Sequence, residues 1–475
     1  MVCLGMVILY PCVQALNRHG IIMQNLPQHT NRAELKSTHE LATLMEDVLI
    51  KARQQGASDA AVAVSHDCGF SVNVRMGEVE TVSFSEEKGV SVTVYIGQRK
   101  GSASSSDTSP AALAAMVLAA SEIAKVSAPD PCFGLPDAHL LQQEYPDLDL
   151  LHPWTLTPTE AIVRAQECEA HALSLDKRIS NSDGVNVSTY AFCQGYASSQ
   201  GFTGAVRSSR HSVSGSFIAK EADKMQRDYE YTTARHPDAL MSLPLLARRA
   251  VEQTVSRLGA RQLKTQICPV LFSPRVSSGL LSSFIQGISG SNLYRKNSFL
   301  LDTVGELLFP QGIRIYEQPH LLRGLGSSPF DGEGVPTRPN ILVEDGVLRQ
   351  YVLGSYSARK LGLETTGNSG GVCNLTIDPT AGFFPELLKK MDKGLLVTEL
   401  MGQGVNIITG DYSRGASGFW VENGEVQYPV EEITIAGNLK DMFRAIVAVG
   451  SDINPNIATR CGSILIEQMT IAGQN

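Results

Sequence analysis

Several kinds of residue or pattern are scarce in this 475-residue chain, and each scarcity removes a class of function. The nine cysteines are odd in number, widely scattered and never spaced Cys-x-x-Cys. That excludes a zinc ribbon, a redox dithiol and the disulfide framework of a small secreted domain. Histidine stops at His320, the last of ten, so the glycine-rich end of the chain has no imidazole for metal binding or proton transfer. Basic blocks are missing too: 40 Lys plus Arg stand against 48 Asp plus Glu, a formal net charge of −8, which argues against nucleic acid as a partner. No apolar run reaches the roughly twenty residues that span a bilayer. Val7 to Tyr10 is apolar, but no Lys or Arg precedes it and Pro11 interrupts it, a poor signal peptide. Residues 1–30 therefore read as an N-terminal extension, with the true start expected at Met23 or a nearby codon, and the expected location is cytoplasmic, with no membrane contact.

Familiar catalytic patterns also fail. Gly402-Gln403-Gly404 has Ile407 where a dinucleotide loop needs glycine, and Gly362 to Gly367 runs into Asn368 where a phosphate loop needs lysine. His39-Glu40 opens like a zinc-peptidase helix, yet Thr43 and Leu44 supply no second ligand. No Gly-x-Ser-x-Gly elbow is present. Asp331 with Glu333, and Glu431 with Glu432, are acid pairs that could serve as acid and base, or simply as turn and strand acids.

What the chain does contain is regular α+β patterning over several domains. A helix is expected over Thr38 to Gln54, opened by the capping pair Ser37 and Glu40. Strands follow at Ala60 to Ser65, Phe70 to Arg75, Val79 to Phe84, Val90 to Ile96 and Arg99 to Ser105. Turns are expected at Gly69, Met76-Gly77, Lys88-Gly89 and Gly97. A second helix starts at Pro110, making an N-terminal helix and antiparallel-sheet domain at 31–127. The proline-rich segment 127–153 marks a boundary, and Thr157 to Glu160 opens a middle α+β domain at 128–240. A hairpin is expected around Glu221 to Asp223 and a helix over Ser242 to Leu258. A β-rich C-terminal domain then covers 241–475. Within it, Cys268 to Phe272, Ile341 to Val343, Val347 to Val352, Leu396 to Leu400, Ser463 to Glu467 and Met469 to Ala472 read as strands, and Val276 to Gly287 as a helix.

The stretch Gly402 to Asn438 is the densest in glycine, and Asn423-Gly424 suits the tip of a hairpin. Its blocks Met401 to Gly404, Thr409 to Gly415, Gly418 to Glu425 and Ile435 to Leu439 are similar to the TldD/PmbA family, in its PmbA (TldE) branch. So are Gly101 to Ser105, Tyr294 to Lys296, Ser328 to Asp331, Ser357 to Gly362 and Cys461-Gly462. The resemblance implies a cytosolic zinc peptidase in which a TldD-type protein and a PmbA-type chain form a heterodimer. It also implies a chamber for short or unfolded peptides, including bacteriocin precursors and an antitoxin. In the TldD branch an HExxxH helix and a later cysteine hold the zinc. Aligned on Gly287 to Gly290, those positions fall here on Leu281, Ser282 and Gln286, with Cys461 as the counterpart of the cysteine. The expectation is a partner chain with no cofactor and no catalytic residue of its own, zinc residing in the TldD-type partner. A homodimer is allowed in isolation. Asp411, Tyr412, Arg414, Trp420, Asp331 and Glu333 are then candidates for the substrate cleft or the partner contact, with the hairpin edges bordering a cleft where a peptide adds as a strand. The competing expectations are a self-sufficient metallopeptidase with unconventional ligands and a binding protein that modulates DNA gyrase.

Overall fold

A computed structural model describes residues 35–141 and 144–473. The extension at 1–30 and the start near Met23 lie outside the described residues.

Local chemistry sets the first elements. Helix α1 (Thr38–Gln54) opens with Ser37 Oγ accepting the Glu40 N–H while the Glu40 carboxylate accepts the Ser37 N–H. Two donors left open by the helix start are thereby satisfied. Strands β1 (Asp59–Arg75) and β2 (Glu78–Ile96) form a hairpin whose tip, Met76-Gly77, has positive φ at both residues. Strand β3 (Arg99–Ser105) and helix α2 (Pro110–Val126) follow. Helix α3 (Pro158–Leu175) opens with the same reciprocal pair, here Thr157 and Glu160. Then come β4 (Ile179–Ser198), β5 (Thr203–Glu221), β6 (Lys224–Ala234) and α4 (Leu243–Ser256).

Two turns expected from glycine are absent. Gly69 lies inside β1 and Lys88-Gly89 inside β2, each paired across the ladder. A Cβ on Gly69 would stand 2.2 Å from the Thr189 carbonyl oxygen. The glycine serves close approach of two backbones, not a reversal.

The six strands order as β3-β2-β1-β4-β5-β6. Strand β1 pairs with β4 from Ala61–Ser198 to Val74–Val185, so strands from both sides of the 127–153 connector share one sheet. On one face, α1 and α2 cover Val62, Val64 and Val92, while α3 and α4 cover Val72, Val187 and Phe217. The two-residue period puts Ser71, Ser188, Ser212 and Ser214 on the other face, half-exposed.

The rest of the chain is more broken. Strand β7 (Gln266–Phe272), helix α5 (Ser278–Gly287) and helix α6 (Gly290–Tyr294) come first. Next are β8 (Ile315–Glu317), β9 (Ile341–Glu344), β10 (Val347–Leu348), α7 (Ser355–Leu361) and β11 (Leu375–Ile377). Their strands form a small sheet ordered β10-β9-β8-β11. Helix α8 (Phe384–Met391), β12 (Gly394–Met401), β13 (Asp411–Glu422), β14 (Glu425–Asn438), α9 (Leu439–Arg444), β15 (Ile446–Val449) and β16 (Ile464–Ala472) complete the chain. The segments expected as two C-terminal strands are the single β16, with an irregularity between Ile466 and Met469.

The third sheet orders as β14-β13-β12-β7-β16-β15, and β14 also pairs with β16 over Thr434–Ala436. Five strands therefore close into a ring. Its main core is built on Phe284, Phe309 and Phe443, whose ring centroids lie 5.0–5.9 Å apart. The architecture is α+β with several sheets. Where the two large regions meet, buried Asp228 on β6 sits 2.8 Å from Arg275 and 3.3 Å from Arg257, and Arg257 reaches Glu399 of β12 at 2.6 Å.

Candidate functional site

Helix α5 occupies the place that the resemblance assigns to a zinc helix, and its side chains do not fit the metal. Leu281 is buried in the main core and has no donor atom. Ser282 and Gln286 are exposed one turn apart, and Ser282 Oγ donates back to the Ser278 carbonyl at 3.0 Å. Cys461 is fully buried, and burial pushes its thiol up to about 12; one cysteine cannot hold zinc alone. Among the described residues no group of three or more His, Cys, Asp and Glu side chains is placed to hold a metal ion.

The β13–β14 hairpin forms with Asn423-Gly424 at its tip, both at positive φ. Its edges are not free. Strand β12 pairs along β13, while β14 is met by β16 at 434–436 and by Arg261 at Val430. An added peptide strand finds no continuous open edge there, which corrects the expectation that these edges border a strand-addition cleft. The four hairpin residues divide by environment. Trp420 is buried, and its indole N–H donates to Glu422 Oε1 at 3.0 Å under a Lys393 ammonium. Tyr412 is buried in the same core, where burial pushes its phenol up to about 12. Asp411 is exposed and accepts the Thr409 hydroxyl at 2.6 Å and the Asn438 amide at 3.4 Å, joining the start of β13 to the end of β14. Arg414 is half-buried, and its Nε meets no acceptor among the described residues.

Asp331 and Glu333 belong to a separate loop where the C-terminal region packs against the six-stranded sheet. Phe330 there stacks edge-on against Phe202 at 5.1 Å. Asp331 is buried, so it is not the exposed turn acid of the plainer sequence reading. Its oxygens accept the N–H groups of Glu333, Val335 and Ser369 at 2.9–3.0 Å. Burial pushes its carboxyl up to about 6 against the pull of those donors. Glu333 is half-buried and accepts the Ser355 N–H at 3.0 Å, tying the loop to α7.

Three family models match the chain in order. They are the PmbA/TldA metallopeptidase domain 1 over residues 60–124, the central domain over 151–258 and the C-terminal domain over 265–473. The chain belongs to the PmbA/TldD family. It is 50% identical over 420 residues to a metalloprotease PmbA of Escherichia coli O157:H7, covering 88% of this chain and 93% of that one. Among solved structures, a Bacteroides thetaiotaomicron protein named as a modulator of DNA gyrase superposes with a TM-score of 0.86 at 28% identity, covering 91% of this chain and 99% of that one. TldE of Thermococcus kodakarensis has a TM-score of 0.78 at 22% identity, covering 90% and 100%, a shared fold.

In this PmbA-type chain, sequence reasoning passed over a buried polar network beside the Asp331 loop. Glu317 is buried, and its carboxylate accepts the Asn340 amide at 2.8 Å, the Asn368 amide at 2.9–3.0 Å and the Cys373 N–H at 2.7 Å. Burial raises its pKa. No local spacing announces this set, because Glu317, Asn340 and Asn368 come from three distant segments. Only Asn368, noted above as a failed phosphate-loop position, drew attention in the sequence.

Proposed function

We propose that this chain is the subunit without zinc in a two-chain TldD/TldE-type peptidase that cleaves short or unfolded peptides. The observation that carries the reading is the chemistry at the zinc-helix position. Leu281 is a core residue with no donor atom, Ser282 is a poor base near neutral pH, and Gln286 carries a neutral amide in place of an imidazole. The name metalloprotease borne by the Escherichia coli relative supports peptidase chemistry for the assembly. Zinc and the hydrolytic step are then supplied by a TldD-type partner, and this chain contributes wall and contacts to the peptide cleft.

Because the β13–β14 edges are largely paired, the contribution of this hairpin is by side chain, with Arg414 and Asp411 as the groups left accessible. The test is reconstitution. The purified chain alone is expected to leave an unfolded peptide intact, and addition of a TldD-type chain to give cleavage with co-elution of the two. Cleavage by this chain alone that a chelator abolishes would contradict the reading and favour a self-sufficient metallopeptidase. Capture of DNA gyrase with no TldD-type chain would favour the modulator reading.

A further inference from the structure

Strand β2 keeps part of one edge unpaired. Strand β1 runs along one side of it, but β3 covers the other side only from Val90–Ser105 to Ile96–Arg99. Between Val90 and the irregularity near Val79, residues 81–89 meet no second strand among the described residues. None of these residues is buried, whereas Val90, Val92 and Val94 farther along the strand sit in the core with α1 and α2. Every second residue of such an edge aims its N–H and C=O outward, which makes it a template for an added strand. The segment has no proline to block one.

The two faces beside this edge differ in chemistry. On the face that carries the helices, Phe84 is 60% exposed, its ring centroid 6.1 Å from that of buried Phe70. On the opposite face Glu87 stands directly across from Asp67 of β1. Like charges at directly opposed positions repel, and neither acid has an ion-pair partner among the described residues. Lys88 lies on the helix side, where it meets Glu86 at 2.6 Å, and Glu86 also lies 3.4 Å from His66. Asp67 Oδ1 has no hydrogen-bond partner among the described residues, and burial, with Glu87 adding to it, pushes the Asp67 carboxyl up to about 6. A strand laid along 81–89 would place one side chain beside Phe84 and another, three residues away on the opposite face, beside Glu87. A second copy of β2 does not meet that demand, because Thr81, Ser83, Ser85 and Glu87 give its matching face no cation.

We propose that the β2 edge at 81–89 binds an extended peptide as an added strand, selecting a Lys or Arg opposite Glu87 and an apolar residue opposite Phe84. The assignment rests on the reading that this chain serves a peptidase of unfolded peptides, and it names the peptide class as segments with a basic and an apolar residue three apart. Dye-labelled peptides of equal length are titrated into the full chain and followed by fluorescence anisotropy. One carries a Lys three residues from a Phe, one has Glu in place of that Lys, and one is the Lys peptide with methylated backbone nitrogens. The wild-type chain should bind the Lys peptide about tenfold tighter than the Glu peptide, the span from an attractive to a repulsive cross-strand pair, and the difference should shrink at high salt. Methylation removes the ladder donors and should abolish binding. Glu87→Lys should reverse the preference without lowering the melting temperature, since it gives Asp67 an opposed cation. Phe84→Ser should weaken both unmethylated peptides and leave the charge preference in place. Binding that is indifferent to these changes puts the peptide elsewhere and overturns the assignment while leaving the peptidase reading intact. Loss of co-elution with a TldD-type chain in Glu87→Lys, with no peptide bound, gives the edge to a strand of the partner and also overturns it. No peptide bound with or without a TldD-type chain, together with no cleavage on reconstitution, removes the assignment and the peptidase reading together.

Discussion

The sheet of β1 to β6 and the loop-rich 315–377 part of the C-terminal region handle backbone polar groups in opposite ways. In the sheet, β1, β2 and β4 run for 17, 19 and 20 residues, and β1 is paired on both edges over most of its length, by β2 on one side and β4 on the other. In the C-terminal region β8, β10 and β11 have two or three residues each, and the connecting loops are held by side chains. Asp331 takes three backbone N–H groups, and Glu317 takes one together with two buried amides. Ladder hydrogen bonds follow from local pattern. Side-chain clamps depend on residues far apart in the chain, and they satisfy the polar groups of irregular backbone that has no ladder.

The joint between the regions should be the most sensitive point of that contrast. Asp228→Ala leaves Arg257 and Arg275 partly buried and without their shared carboxylate. The expected cost is about 3–5 kcal/mol, read as a fall in denaturant midpoint. A change below about 1 kcal/mol would show that the two regions are joined by something other than this ion cluster.

Next in size is Asp331, whose carboxyl stands at about 6 against an ordinary 3.8. A carboxyl raised in the folded state binds its proton more tightly there than in the unfolded chain. Its contribution to stability is therefore fully present below pH 4 and is lost as pH rises through about 6, by on the order of 2–3 kcal/mol. Asp331→Asn should flatten that part of the melting-temperature profile between pH 4 and 7. A variant that keeps the wild-type slope would assign the slope to another group.

Smallest is the sheet's own test. Gly69→Ala must displace the Thr189 carbonyl, at about 1–3 kcal/mol, whereas Gly97→Ala, at positive φ with open space around it, should cost about 1 kcal/mol. Equal costs would mean that Gly69 is tolerated for flexibility and not for close packing.

The same contrast sets how much could be read from residues alone. Helix α1 and its capping pair, the Met76-Gly77 and Asn423-Gly424 tips, and α3 behind Thr157 are all written in stretches of a few residues, and each forms as expected. The errors at Gly69 and Gly89 arose because a glycine looks alike in sequence whether it turns the chain or lets two strands touch. Closure of the C-terminal ring was not legible, since β14 meets β16 across more than thirty residues that carry no pairing code. Nor was the burial of Asp331, Tyr412 and Trp420, which composition cannot distinguish from exposed polar and aromatic residues lining a site. The chemistry of the zinc-helix position was legible, because a leucine has no donor whatever its surroundings.

That position supports the central claim, and zinc stoichiometry tests it most directly. The purified full-length chain, loaded with excess zinc and passed through gel filtration, should retain far less than one zinc per chain by elemental analysis. A TldD-type partner treated in the same way should retain about one, the single tetrahedral site of a metallopeptidase. One tightly held zinc per molecule of this chain, lost with Cys461→Ser, would contradict the account.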